Sequence, residues 1–211
     1  MRDLYENPLN TRYSSKEMSY LFSDDFKYST WRKLWIALAE SEMELGLNIE
    51  QSQIDEMKKY VFDINYDVVA AREREVRHDV MAHVFAFAQQ AKSAEPIIHL
   101  GATSCYVTDN AEVIVIDNAL KLVQKKLVAV IDKLARFADK YKNLPVLGYT
   151  HLQPAQLTTL GKRACLWIQD LLLDYESLSE ILAKVRLRGV KAFTLYPQSG
   201  ANHFAPLNAL L

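Results

Sequence analysis

With 211 residues, 50% of them hydrophobic and 24% charged, the chain is composed like a soluble globular protein of one domain or two small ones. A formal charge of −1 without a dense Lys/Arg run argues against nucleic acid as the main partner, whereas a small anionic ligand needs only a few placed cations. Cys105 and Cys165 stand outside any ligand motif, so no disulfide framework or zinc site is indicated. With no apolar leader and no membrane-length apolar run, the expected setting is cytoplasmic and off the membrane.

Residues 1 to about 14 read as an extended lead-in, with Pro8 and a polar run placing Arg12 and Tyr13 just outside a helix. From Asp24 to about Leu47, the spacing of Phe26, Trp31, Leu34, Trp35, Leu38 and Met43 predicts an amphipathic helix closed by Gly46. Shorter helical patterns follow at about 51–61, 66–76 and 79–91. Between Pro96 and Thr108 the period lapses, and Gly101-Ala102-Thr103-Ser104 reads as a loop.

Beyond that loop, Ile116, Leu120, Val123, Leu127, Val130, Leu134, Phe137 and Tyr141 alternate by four and three, the spacing of a bundle helix over about 109–142. Such a helix is roughly 50 Å long and needs partners. The stripe Leu157, Leu160, Ala164, Ile168, Leu171, Tyr175, Leu178, Leu182 and Val185 predicts an antiparallel one, joined through a Pro-limited link at 143–156. Two helices bury only part of this surface, so association with further helices or chains is expected.

Four groups of residues carry candidate chemistry. His151, in the link Gly148-Tyr149-Thr150-His151-Leu152-Gln153-Pro154-Ala155-Gln156, carries an imidazole, the side chain most often used for proton transfer, and is a candidate acid or base; its plainer reading is a cap on the helix starting near Pro154. Arg77-His78-Asp79 puts a cation, a switchable donor and an acceptor at a helix start that favours anions, with Asp79 alone readable as an N-cap. Thr103 and Ser104 offer hydroxyls and loop N–H groups for a carboxylate, or form an ordinary turn. Arg12 with Tyr13 can clamp a phosphate or stand as a surface pair. His83 reads as a packed or surface histidine and His99 as structural, and His78 with His83 does not share a helical face for a metal.

Taken together, Arg77-His78-Asp79-Val80-Met81-Ala82-His83, His99-Leu100-Gly101-Ala102-Thr103-Ser104 and Thr150-His151-Leu152-Gln153-Pro154-Ala155-Gln156 resemble the adenylosuccinate lyases of the fumarase/aspartase superfamily, over about Asn7 to Lys191. The resemblance implies an all-α fold: an N-terminal helical domain (1–108), then the first long helices of a central bundle (109–191). Residues 192–211 depart from the family and read as an irregular tail. A homotetramer with sites shared between subunits is implied, as is a reaction without cofactor or metal: β-elimination of fumarate from adenylosuccinate and from succinyl-carboxamide imidazole ribotide in purine synthesis. By motif, His151 resembles the acid that protonates the departing nitrogen, and Thr103 and Ser104 resemble the pair that holds the succinyl part. Arg12, Tyr13, Arg77, His78 and Asp79 resemble groups that bind the purine nucleotide substrate.

The family's Gly-Ser-Ser-x-Met-Pro loop, which carries the serine base, has no counterpart in these 211 residues, and Ala192-Phe193-Thr194 stands where the family has a Gly/Thr-rich turn. The expectation is therefore a truncated lyase, inactive as an isolated chain. The alternative is a helical interaction module that associates with full-length lyase subunits in mixed oligomers.

Overall fold

The computed structural model describes residues 7–190, so the expected tail at 192–211 lies outside the described residues. Helices dominate: α1 (Lys16–Leu21), α2 (Asp24–Glu44), α3 (Gln51–Lys59), α4 (Tyr66–Val76), α5 (Asp79–Gln90), α6 (Ser104–Lys140) and α7 (Leu160–Lys184). None of the described helices is long and apolar enough to cross a membrane. The chain falls into two compact units, one running to Ile116 and resuming at Arg186, the other Asp117–Val185. The expected division at 108/109 falls inside α6, a single helix that continues from the first unit into the second.

In the first unit α2 is the central element. Ser23 caps it by accepting from the Phe26 N–H at 3.3 Å, and Trp31, Leu34, Trp35 and Leu38 bury one face against Ile54, Met57, Phe87, Tyr106 and Val107. Arg32, on the same helix, is also fully buried. Its guanidinium donates to the carbonyls of Tyr60 and Asp63 and lies 4.4 Å over the Phe87 ring, which ties α2 to the turn after α3.

The lead-in is not extended. Asn7 accepts from the Leu9 N–H at 2.9 Å through its side chain, and Ser14 N–H reaches back to the Leu9 carbonyl, closing a wide turn over Leu9–Tyr13. Arg12 and Tyr13 thus sit inside a helical turn rather than outside a helix. The first long helix also stops three residues short of Leu47, at Glu44, with Gly46 in the left-handed region beyond it.

The second unit joins the later part of α6 to α7 through β1 (Pro145–Thr150) and β2 (Gln153–Thr159), an antiparallel pair with an irregularity between Leu147 and Tyr149. The link at 143–156 is therefore largely a β-hairpin inserted in a helical fold, with Pro145, Val146, Leu147, Tyr149 and Thr150 facing Thr159, Thr158, Leu157, Pro154 and Gln153. Leu157 belongs to β2, and α7 begins at Leu160. Gly161 is where the two helices touch: an added Cβ would stand 2.4 Å from the Ala138 carbonyl oxygen and 2.6 Å from the Lys142 Cα. Only glycine permits that approach.

Candidate functional site

The motif Arg77-His78-Asp79 forms the joint between α4 and α5. Arg77 ends α4 in the left-handed conformation (φ 53°), donating its N–H to the Glu73 carbonyl at 2.7 Å. The expected cap, Asp79, is not the cap. His78 takes that position: its Nδ1 accepts from the Met81 N–H at 3.5 Å, while Asp79 turns its carboxylate to the adjacent Val80 N–H at 2.7 Å. Extended backbone at His78 is what aims the ring over the first turn, leaving Asp79 already inside the helix.

Because Nδ1 accepts, the proton of neutral His78 resides on Nε2, which lies 3.2 Å from Ser104 Oγ. The hydroxyl accepts that N–H and keeps its own proton for another partner. Residues 26 positions apart in sequence thus come together, His78 from the start of α5 and Ser104 from the start of α6. Asp79 adds a carboxylate oxygen 3.6 Å from His78 Nδ1. Thr103 stands immediately before α6, its carbonyl accepting from Tyr106 N–H at 2.8 Å.

The loop that delivers Thr103 and Ser104 is pinned to α2. Trp35 Nε1, an obligate donor, gives its hydrogen to His99 Nδ1 at 3.0 Å, and Tyr106 donates its hydroxyl to the Leu34 carbonyl at 2.7 Å. His99 is held neutral with its proton on Nε2, because burial and then the nearby charge of His78 push its imidazole below the ordinary value. The sequence reading of His99 as a structural residue captures the Trp35 contact. It misses that the second nitrogen remains a donor beside His78. His83 is a packing residue in full, 3% exposed and stacked on Tyr28.

Arg12 and Tyr13 are exposed on their turn, Arg12 lying 5.6 Å over the neighbouring Tyr13 ring, and no described contact joins them to the His78–Ser104 pair. His151 belongs to the second unit. It occupies the hairpin tip, with His151 (φ 49°) and Leu152 (φ 62°) both left-handed and Leu152 99% exposed. Two-residue hairpins favour Asn-Gly at such positions; here the same reversal is made with a histidine projecting from it. An open cavity of about 500 Å³ lies at the α6–α7 crossing, among Ala135, Ala138, Gly161, Cys165 and Ile168, and none of the candidate residues lines it.

A lyase family model matches residues 11–205. The adenylosuccinate lyase of Saccharomyces cerevisiae is 55% identical over 196 residues, covering 91% of this chain and 40% of that protein. That of Schistosoma mansoni is 50% identical over 188 residues, covering 89% and 39%. Among solved structures, a fumarate lyase from Mesorhizobium sp. BNC1 aligns with a TM-score of 0.73 at 24% identity, over 89% of this chain and 44% of its own. A β-carboxy-cis,cis-muconate cycloisomerase from Acinetobacter calcoaceticus sp. ADP1 aligns at 0.77 and 21%, over 97% and 48%. At such identities the structures show the fold alone, and the chain spans about 40% of the length of the curated relatives. The chain belongs to the lyase family of the fumarase/aspartase superfamily, and within it resembles the adenylosuccinate lyases over the length that it shares with them.

Proposed function

We propose that this chain supplies the acid and much of the nucleotide grip for β-elimination of fumarate from adenylosuccinate and the related imidazole ribotide, a cytoplasmic step of purine synthesis that uses no cofactor. The contact between His78 Nε2 and Ser104 Oγ at 3.2 Å is the observation that carries the reading. It unites the two motifs of the first unit and leaves the Ser104 hydroxyl directed as a donor. Thr103, Ser104 and the free N–H groups at the start of α6 would hold the succinyl carboxylate as it gains charge. Arg77, His78 and Asp79, with Arg12 and Tyr13, would bind the nucleotide. His151, on a strained tip that fixes its direction, would protonate the departing nitrogen.

The serine-base loop is not among these 211 residues, so the test supplies that group from a second chain. The test mixes this chain with a full-length relative whose acid histidine has been replaced, following fumarate release from adenylosuccinate. Restored turnover that disappears with His151→Ala supports the reading. Restored turnover unaffected by that change refutes the assignment of the acid.

A second reading, a helical interaction module joining full-length subunits in a tetramer, is favoured by the apolar residues that α6 and α7 leave exposed, among them Val123, Val130, Leu166, Trp167, Leu173 and Ile181. Mixed oligomers without any gain of turnover would select it over the first.

A further inference from the structure

One carboxyl group on α2 is left without a counterpart. Glu42 Oε2 is sealed from solvent and has no hydrogen-bond partner, and burial alone perturbs the group, with no described cation offsetting it. Its other oxygen, Oε1, stands 3.7 Å from the point that a Cβ on Gly101 would occupy. The carboxyl is therefore packed against the turn between His99 and Thr103. That turn passes through two left-handed residues, His99 (φ 66°) and Gly101 (φ 63°).

None of the charged or titratable groups described on α2, α6 and the loop makes a described hydrogen bond or ion pair with the Glu42 carboxyl. From α6, Tyr106 gives its hydroxyl to the Leu34 carbonyl, and Glu42 raises the pKa of that phenol further after burial has done so. From the loop, His99 accepts the Trp35 Nε1–H at Nδ1 and keeps its Nε2–H. On α2 itself, Glu40 pairs with Lys58 of α3 at 2.7 Å. An ionised Glu42 would thus be a half-buried anion with no cation in contact.

Of the two faces described around the carboxyl, the turn is the one free to yield. The α2 backbone beneath Glu42 is fixed by the buried Trp35, Leu38, Ala39 and Ser41, whereas the cover is a glycine turn fastened at Trp35–His99 on one flank and Leu34–Tyr106 on the other. A small displacement of that turn, with Gly101 as the hinge, admits water to the carboxylate. We infer that Glu42 is a positioning residue whose charge state regulates the loop presenting Thr103 and Ser104: the neutral acid lets the turn at Gly101 close onto α2, and the carboxylate lifts it. Burial pushes the Glu42 carboxyl up to about 7, so the exchange between the two states falls in the neutral range. The functional weight of this device rests on Thr103 and Ser104 binding substrate; the motion does not.

The experiment is amide hydrogen exchange on the full chain between about pH 5.5 and 8.5, corrected for intrinsic exchange, with Glu42→Gln in parallel. In the parent chain, protection at residues 99–104 should fall by up to about tenfold per pH unit above the midpoint, while α3 and α5 hold theirs. In Glu42→Gln, protection at 99–104 should stay at its acid-side level throughout. If circular dichroism shows the glutamine variant misfolded, Glu42→Met serves, an unbranched side chain without the charge. A flat profile in the parent, or the same loss in the uncharged variant, overturns the inference. Binding of AMP is read in the same samples: absence of AMP binding at every pH, with the exchange profile as expected, supports the loop device while removing the substrate reading.

Discussion

Acidification should destabilise the first unit through His83. The imidazole is 3% exposed, stacked on Tyr28 with ring centroids 3.8 Å apart and meeting Trp31 edge-on at 5.3 Å. Burial first, then the Arg32 guanidinium, push it down to about 4; Asp79 opposes them and Lys27 adds a lesser push. Above pH 6.5 the ring is neutral in folded and unfolded chains alike and adds no pH dependence. As pH falls below 6.5, the unfolded chain takes up a proton that the folded chain refuses until about pH 4, so stability is lost across that window and levels off beneath it. The full loss is about 3 kcal/mol, of which about 2.5 kcal/mol is present near pH 4.5.

His83→Phe keeps an aromatic ring for Tyr28 and Trp31 and removes the titration. Urea unfolding followed by the emission of Trp31 and Trp35, both in the core of this unit, should place the variant within about 1 kcal/mol of the parent at pH 7.5 and about 2–3 kcal/mol above it near pH 4.5. A gap of the same size at both pH values would refute the reasoning, because packing alone would then explain it.

In the second unit, Gly161→Ala should cost about 3 kcal/mol, since the new methyl meets main-chain atoms of Ala138 and Lys142 that cannot turn aside; the check is a lower melting temperature read at Trp167 on α7. At the other end of α7's exit, buried Asn110 donates to the carbonyls of Tyr106 and Gly189 and accepts from Arg188 N–H at 2.7 Å. Asn110→Leu leaves that N–H without its acceptor, at a cost of about 1–3 kcal/mol, and amide exchange at Arg188 should rise while α2 is unchanged.

Much of the helical frame is legible in the sequence because local signals agree. Tyr66–Val76 and Asp79–Gln90 start and stop within a residue of where the apolar spacing places them, although His78 rather than Asp79 caps the second. The hairpin escapes for a physical reason: β1 and β2 are exposed along most of their length, so no apolar alternation marks them, and His151-Leu152 replaces the glycine-bearing turn that would announce the reversal. Gly101-Ala102-Thr103 masks the helix start, so the loop pattern runs through Ser104, which already opens α6. Glu42 is invisible for a different reason. Its neighbours Ser41, Met43 and Glu44 give no hint of burial, which comes from a loop sixty residues further along folding over it.

Four exposed residues of α6, Ile116, Val123, Val130 and Phe137, fall seven apart. An α-helix gains about 20° of drift per seven residues, so over three such intervals the seam winds roughly 60° around a straight axis. A straight neighbour laid along α6 would meet Ile116 and lose Phe137. Any helix that keeps all four in contact has to coil around α6 in the left-handed sense, crossing at about 20°, so the handedness of its partner is already written along this one face.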